Sequence, residues 1–281
     1  MKLINPSVEL ITQGKGLDGI YTQIEKVART CYKSEDYIKE DSAKPFVDRL
    51  INSKHFAMLE HGTVYLKAHY GCCYDLYRKV AHSPYSKEVC DDRNKISYLT
   101  TNLRVLAEND ALSLINTYLC DPTEQHNKRI CLKFITSIGI SREFNRHRSF
   151  SVAEQSTRYC NYSKEKFGNE ISFVIPSWIN TNCPNKLHEG PSNMDIEWSD
   201  CCKEAENHYM SLISSGWKPQ QAREVLPLST ATEVVYTAFE DDWRHFFDLR
   251  LRGVTGQPHP NAKQVACIAH DLILDKLKLD L

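Results

Sequence analysis

Two runs rich in β-branched and aromatic residues, RICLKFITS (129–137) and TATEVVYTAF (230–239), set the strongest limit on how this chain can fold. Such side chains suit a pleated, half-buried surface, and both runs read as strands. HGTVYLKAHY (61–70) alternates like a third strand, and EISFVIP (170–176) is a short fourth. Around them lie helical periodicities. GLDGIYTQIEKVARTCYKS (16–34) places Ile20, Ile24, Val27, Ala28 and Cys31 at helical spacing. DSAKPFVDRLINSK (41–54) turns Phe46, Leu50 and Ile51 inward. TNLRVLAENDALSLINTYL (101–119) carries a helical pattern of its own, and IGISREFNRHR (138–148) predicts a helix with basic residues at its C-terminal end. WSDCCKEAENHYMSLISSG (198–216) stops at a glycine, and PQQAREVLP (219–227) is bounded by prolines. DDWRHFFDLRL (241–251) and NAKQVACIAHDLILDKLK (261–278) are the last helices. Strands and helices mix without a regular βαβ rhythm, which predicts an α+β fold.

No repeat, low-complexity tract or Gly/Ser linker divides the 281 residues, so a single domain over 1–281 is the expectation. The net charge of -1 gives no global basic field for nucleic acid, so any anion site must be built locally. No run has the length of a membrane span, and MKLINPSVEL lacks the apolar core of a signal peptide. The 11 cysteines, with no CxxC spacing, read as reduced thiols of a cytoplasmic protein. Cys72-Cys73 and Cys201-Cys202 are adjacent pairs that suit neither a simple disulfide nor a zinc site, and Cys183 reads as a buried or loop thiol. His55 and His61 lack the i, i+4 spacing of a helical zinc pair, and no metal is expected. Neither GxGxxG after a strand nor GxxxxGK[ST] occurs, which removes the Rossmann and P-loop readings.

RHRSFSVAEQSTRY (146–159) is the densest polar segment. The guanidinium forks of Arg146, Arg148, Arg158, Arg223 and Arg250 match phosphate oxygens, and Ser156 and Thr157 add hydroxyl donors. Glu154 repels phosphate but can accept from a ribose or a base edge. The mixture fits a nucleotide with both phosphate and sugar. Ser156 has no recognisable His–Asp pair to activate it, so it reads as a binding hydroxyl.

Arg-His-Arg, seven residues, then serine resembles the signature of flavin-dependent thymidylate synthases. HFAMLEH (55–61), STRYCNYS (156–163), AREVLPL (222–228) and HFFDLR (245–250) resemble other segments of that family in the same order, from about Val27 to His270. The resemblance implies the thymidylate synthase-complementing type of fold, a mixed or antiparallel sheet flanked by helices, with residues 71–128 as an insert. It also implies reductive methylation of dUMP to dTMP, with 5,10-methylenetetrahydrofolate as carbon donor and NADPH as reductant through bound FAD. Arg250 would lie against the uracil ring as the catalytic residue. Glu143, Arg146, Glu154, Ser156, Thr157, Arg158 and Arg223 would join it in holding dUMP. His55, Arg146, His147, Arg148, Glu154 and His245 would face FAD. The family is typically a homotetramer with sites shared between subunits. Some positions depart from its pattern: Glu143 stands where glutamine is common, Ala153 and His245 where asparagine is, and Cys31 where serine is. The asparagine-x-arginine that contacts flavin is missing around FEDDW (239–243). A contrasting expectation is a non-catalytic nucleotide- or RNA-binding relative that has lost flavin chemistry, with Tyr159 and Tyr162 as stacking platforms.

Overall fold

The computed structural model describes residues 1–70, 74–179 and 193–281. Cys72, Cys73 and Cys183 lie outside the described residues. In chain order, the first half holds β1 (Lys2–Ile4), β2 (Ser7–Ile11), α1 (Gly16–Thr30), α2 (Ala43–Asn52), β3 (Thr63–His69), α3 (Tyr74–Ala81), β4 (Lys87–Asp91), β5 (Ile96–Asn102), α4 (Leu103–Glu108) and α5 (Ser113–Tyr118). The second half holds β6 (Arg129–Ser137), α6 (Ile138–Phe144), β7 (Ser151–Glu154), β8 (Ser172–Val174), α7 (Asn193–Ser214), α8 (Pro219–Ala222), β9 (Ala231–Phe239), α9 (Glu240–Phe247) and α10 (Pro260–Leu277).

The two runs that head the sequence reading pair with each other. β6 and β9 are antiparallel neighbours at the centre of a four-stranded sheet ordered β2-β6-β9-β7, with Phe134 opposite Val234. Alternation sends Val234, Tyr236 and Ala238 into a core with Phe134, Phe144, Trp243, Phe246 and the α10 residues Val265, Ala266 and Ala269. The opposite face puts Val235 with Cys131, Ala153 and Val27 of α1. Helices cover both faces, which is why β9 is buried almost throughout. The fold is α+β, with antiparallel sheets flanked by helices, as expected.

β3, β5 and β4 form a second antiparallel sheet, in that order. Ile20 and Ile24 on α1, with Leu50 on α2, share a core with Leu66 and Leu99 of that sheet. Residues 71–128 therefore supply the middle strand of this sheet. The helix expected over 101–119 is broken: Thr101 and Asn102 finish β5, and α4 and α5 are separate. The Asn102 side chain caps α4 by accepting from Val105 N at 3.1 Å, and Asp110 adopts a positive φ of 54° between the two helices. A small sheet pairs β1 with β8 in parallel, and α7 packs Cys202 and Tyr209 against Phe173.

Candidate functional site

α6 is shorter than the sequence reading, ending at Phe144 with Asn145 as its cap. The Tyr236 hydroxyl donates to Asn145 Oδ1 at 2.8 Å, and the chain then turns, with His147 N donating to Phe144 O at 3.0 Å. The basic triplet thus lies in a turn beyond the helix. In that turn the side chains separate: His147 is buried, while Arg146 and Arg148 are exposed and have no ion pair with any described residue.

Two polar groups form from the predicted residues. The first lines a cavity of about 560 Å³ between α6, the residues after β7, and the segment 223–228. Glu154, Ser156, Thr157 and Arg223 all border it, together with Arg142. Backbone bonds fix its walls: Gln155 N donates to Glu233 O at 2.7 Å, Ser156 N to Cys31 O at 2.8 Å, and Gly139 N to Leu228 O at 3.0 Å. Glu154 accepts from Ser141 Oγ at 2.6 Å, Thr232 Oγ1 at 3.1 Å and Asn145 Nδ2 at 3.4 Å. All three donors are neutral, so this carboxylate keeps its negative charge uncancelled by a cation. Arg223 donates to Thr157 Oγ1 at 3.3 Å and lies 3.6 Å from Glu224.

The second group centres on Arg250. A π-helical stretch, Asp248–Arg252, follows α9 and ends at Gly253, whose φ is 69°. A Cβ at Gly253 would lie 2.9 Å from Gly256 O, so glycine is required on both counts. This turn brings the Arg250 guanidinium onto α6. Nη2 donates to the Glu143 carbonyl at 2.8 Å, Nε to His147 Nε2 at 3.1 Å, and Nη1 to Glu143 Oε2 at 3.3 Å. His147 packs its ring among Phe150, Phe246 and His245, at centroid distances of 5.5, 5.1 and 6.0 Å. Burial, then the positive charge of Arg250 and the neighbouring His245, hold its pKa down to about 4. The ring is therefore neutral near pH 7. Because Nε2 accepts from Arg250, the ring proton sits on Nδ1.

The remaining predicted residues stay apart. Arg158 donates to Gln220 Oε1 at 3.2 Å and covers the Tyr159 ring at 5.1 Å, outside the cavity wall. His55 is exposed at the start of the 3₁₀ turn Phe56–His61 and makes no side-chain hydrogen bond to the others. Sequence reasoning missed Arg142, whose signal was its position one helical turn before Arg146. It also missed Ser141 and Thr232, which hold Glu154. The stacking role considered for Tyr162 does not fit, because that ring is 5% exposed and packed on Phe167 and Tyr209. Among the described residues no group of three His, Cys, Asp or Glu could hold a metal ion, and no helix is long and apolar enough to cross a membrane. Cys201 is exposed and Cys202 buried, and both are free thiols.

Residues 97–271 match the family described as thymidylate synthase complementing protein. A probable flavin-dependent thymidylate synthase of Paramecium bursaria Chlorella virus 1 is 28% identical over 132 residues, 46% of this chain and 59% of that protein. The flavin-dependent thymidylate synthase of Pyrococcus furiosus is 32% identical over 106 residues, 38% of this chain and 39% of that protein. The aligned part of the chain thus spans between 39% and 59% of these curated relatives. A crystal structure of the UMP/dUMP methylase PolB from Streptomyces cacaoi, bound with 5-Br dUMP, aligns over 98% of this chain and 93% of that one. Its sequence identity is 17% and its TM-score 0.45.

Proposed function

The chain belongs to the thymidylate synthase complementing protein family, and from that membership we propose that it converts dUMP to dTMP by reductive methylation. The carbon comes from 5,10-methylenetetrahydrofolate and the electrons from NADPH, through bound FAD. The observation that carries this reading is the cavity beside α6, where two guanidiniums, two hydroxyls and two carboxylates, Glu154 and Glu224, border the same space. A nucleoside monophosphate needs that mixture: cations and hydroxyls for phosphate, and an acceptor for sugar or base.

The residues present fit a flavin dinucleotide. Arg146 and Arg148 are exposed guanidiniums with no carboxylate partner among the described residues, suited to a diphosphate, and His55 is an exposed imidazole. These three, with His245, would hold FAD. When bound, FAD supplies the route by which a hydride from NADPH reaches the transferred carbon.

The chain's own groups act on the pyrimidine. C5 of uracil is a weak nucleophile, and a fixed cation beside the ring stabilises the negative charge that must build there. Arg250 is that cation. His147 and the Glu143 carbonyl orient it without taking its proton, since both present acceptors to a guanidinium that stays charged. Glu154 accepts from the sugar or the base edge. In the balanced reaction C5 loses a proton and gains a methyl group, built from the methylene carbon and one hydride. NADPH is oxidised by two electrons and tetrahydrofolate is released. Arg250 does not border the cavity of its own chain. A homotetramer with shared sites, in the cytoplasm, lets the cavity of one subunit meet the Arg250 group of another.

Purified protein tests the reading. A flavin absorbance band is expected, NADPH oxidation accelerates with dUMP, and dTMP forms only when methylenetetrahydrofolate is added. Flavin-loaded protein that makes no dTMP overturns the assigned reaction.

A further inference from the structure

We propose that the cavity between α1, the start of β6 and residues 119–122 is a second binding site, for a small organic carboxylate with an apolar body. The proposal does not depend on the functional reading above.

This cavity has a volume of about 400 Å³, within the range of small-molecule sites. It shares no lining residue with the nucleotide cavity. β6 borders it at Arg129, Ile130 and Cys131, then runs roughly 30 Å, at about 3.4 Å per residue, to Ile138 at the nucleotide cavity. α1 repeats the separation. Gly16, Ile20 and Gln23 border the second cavity, whereas Cys31, just past the other end of the helix, accepts from Ser156 N. Ile11, Ile20, Leu119, Ile130 and Leu277 give it apolar walls. Gln13 ties the loop after β2 to β3: its amide donates to Thr63 O and its oxygen accepts from Thr63 N, both at 2.8 Å. That wall is therefore fixed before a ligand arrives.

Three charged residues border the space. Lys15 and Asp121 are exposed and lie 3.8 Å from each other, so their charges offset. Arg129 has no such partner. Its Nη1 donates to Glu60 O at 2.9 Å and Thr63 Oγ1 at 3.4 Å, and its Nη2 to Ser151 Oγ at 3.0 Å. The Phe239 ring lies 5.6 Å from the guanidinium. All of these groups are neutral, and no carboxylate pairs with Arg129 among the described residues. The acids whose charge reaches it are engaged elsewhere: Glu60 pairs with Arg104, and Asp242 accepts from Phe239 N at 3.3 Å at the start of α9. Burial holds the Arg129 pKa down to about 10, so it stays charged near pH 7 without a counter-charge. Nε and one Nη2 proton have no acceptor among the described residues. A carboxylate supplies the missing charge and accepts from those donors, while its hydrocarbon part fills the apolar space. A bare inorganic anion would leave that space empty.

Ligand-observed NMR titration of the purified protein with benzoate, and with benzamide as its neutral counterpart, tests the assignment. Benzoate is expected to bind with a Kd of about 1 mM or tighter, and benzamide about tenfold more weakly. Arg129→Gln is expected to weaken benzoate about tenfold and to leave benzamide unchanged. Leu277 is 37% exposed, so Leu277→Trp fills the cavity from its edge and is expected to weaken both compounds. That variant and the benzamide comparison decide the matter if Arg129→Gln does not fold. Saturating dUMP is expected to leave benzoate binding unchanged. Equal binding of the two compounds, benzoate binding that survives the substitutions, its displacement by dUMP, or no binding at about 10 mM benzoate each overturn the proposal. Inorganic phosphate that competes as well as benzoate does overturns the apolar body assigned to the ligand.

Discussion

Replacing Glu143 with glutamine should speed the reaction, and the geometry at Arg250 says by how much. Arg250 has three anchors: the Glu143 carbonyl at 2.8 Å, His147 Nε2 at 3.1 Å and the Glu143 carboxylate at 3.3 Å. The two shorter anchors do not involve the carboxylate, and a glutamine oxygen can still accept at the third, so the guanidinium keeps its place. The change is in charge. At 3.3 Å a unit pair in an effective dielectric of about 20 is worth about 5 kcal/mol before solvent screening. Arg250 and Glu143 side chains keep 18% and 34% of their exposure, and part-exposed pairs retain about 1 kcal/mol. The carboxylate withdraws that amount of cationic field from any pyrimidine that Arg250 polarises. Glu143→Gln should therefore raise kcat/KM for dUMP about fivefold, with the melting temperature lowered by only about 2 °C. The assay is dTMP formation by chromatography across a dUMP series, beside dUMP-dependent NADPH oxidation. A tenfold fall without a larger loss of stability would refute the reasoning, because the carboxylate would then be what places the guanidinium. An unchanged rate would show that the substrate does not feel the charge on Arg250.

Two further predictions concern stability. His147 has a pKa near 4 in the folded chain against an ordinary value of about 6.5, so the unfolded chain binds more protons between these pH values. Its contribution is present above about pH 6.5 and is lost as pH falls through 4, up to about 3 kcal/mol. Urea midpoints should drop between pH 7 and pH 4.5, and His147→Phe should flatten that slope; an equal slope in the variant removes His147 as its source. Gly19 lies in the first turn of α1, where an added Cβ would sit 2.1 Å from the Gly14 carbonyl carbon. That neighbour is backbone, so Gly19→Ala should cost about 3 kcal/mol by thermal or chemical denaturation, and a loss under about 0.5 kcal/mol would contradict the packing.

The central strands were legible because burial on both faces favours β-branched and aromatic residues at nearly every position, as in ATEVVYTAF of β9. Of the other strands, β3 and β8 were legible in 61–70 and 170–176, while β1, β2, β4, β5 and β7 were not. β1 and β2 are only three and five residues long, and β7 is the four residues SVAE inside the most polar segment of the chain. β7 is a strand because β9 offers it an edge, with Ala153 paired to Val235, and that edge is a tertiary fact. The helix expected over 101–119 failed for the converse reason. Its apolar spacing is genuinely helical, but Asn102 and the Asn109-Asp110 pair supply local caps and turns that periodicity does not weigh.

For the site, residue types were legible and directions were not. Arg146 and His147 are neighbours in sequence, yet the turn after α6 exposes one and buries the other. The opposite holds within α6, where regular geometry makes direction computable: successive side chains diverge by about 100°. Arg142 therefore faces the cavity while Glu143 faces Arg250. The cavity residues and the cluster around Arg250 thus form two groups in a single chain. In the site shared between copies proposed above, the cavity of one copy meets the Arg250 group of another, and the two groups that α6 holds apart in one chain serve one nucleotide.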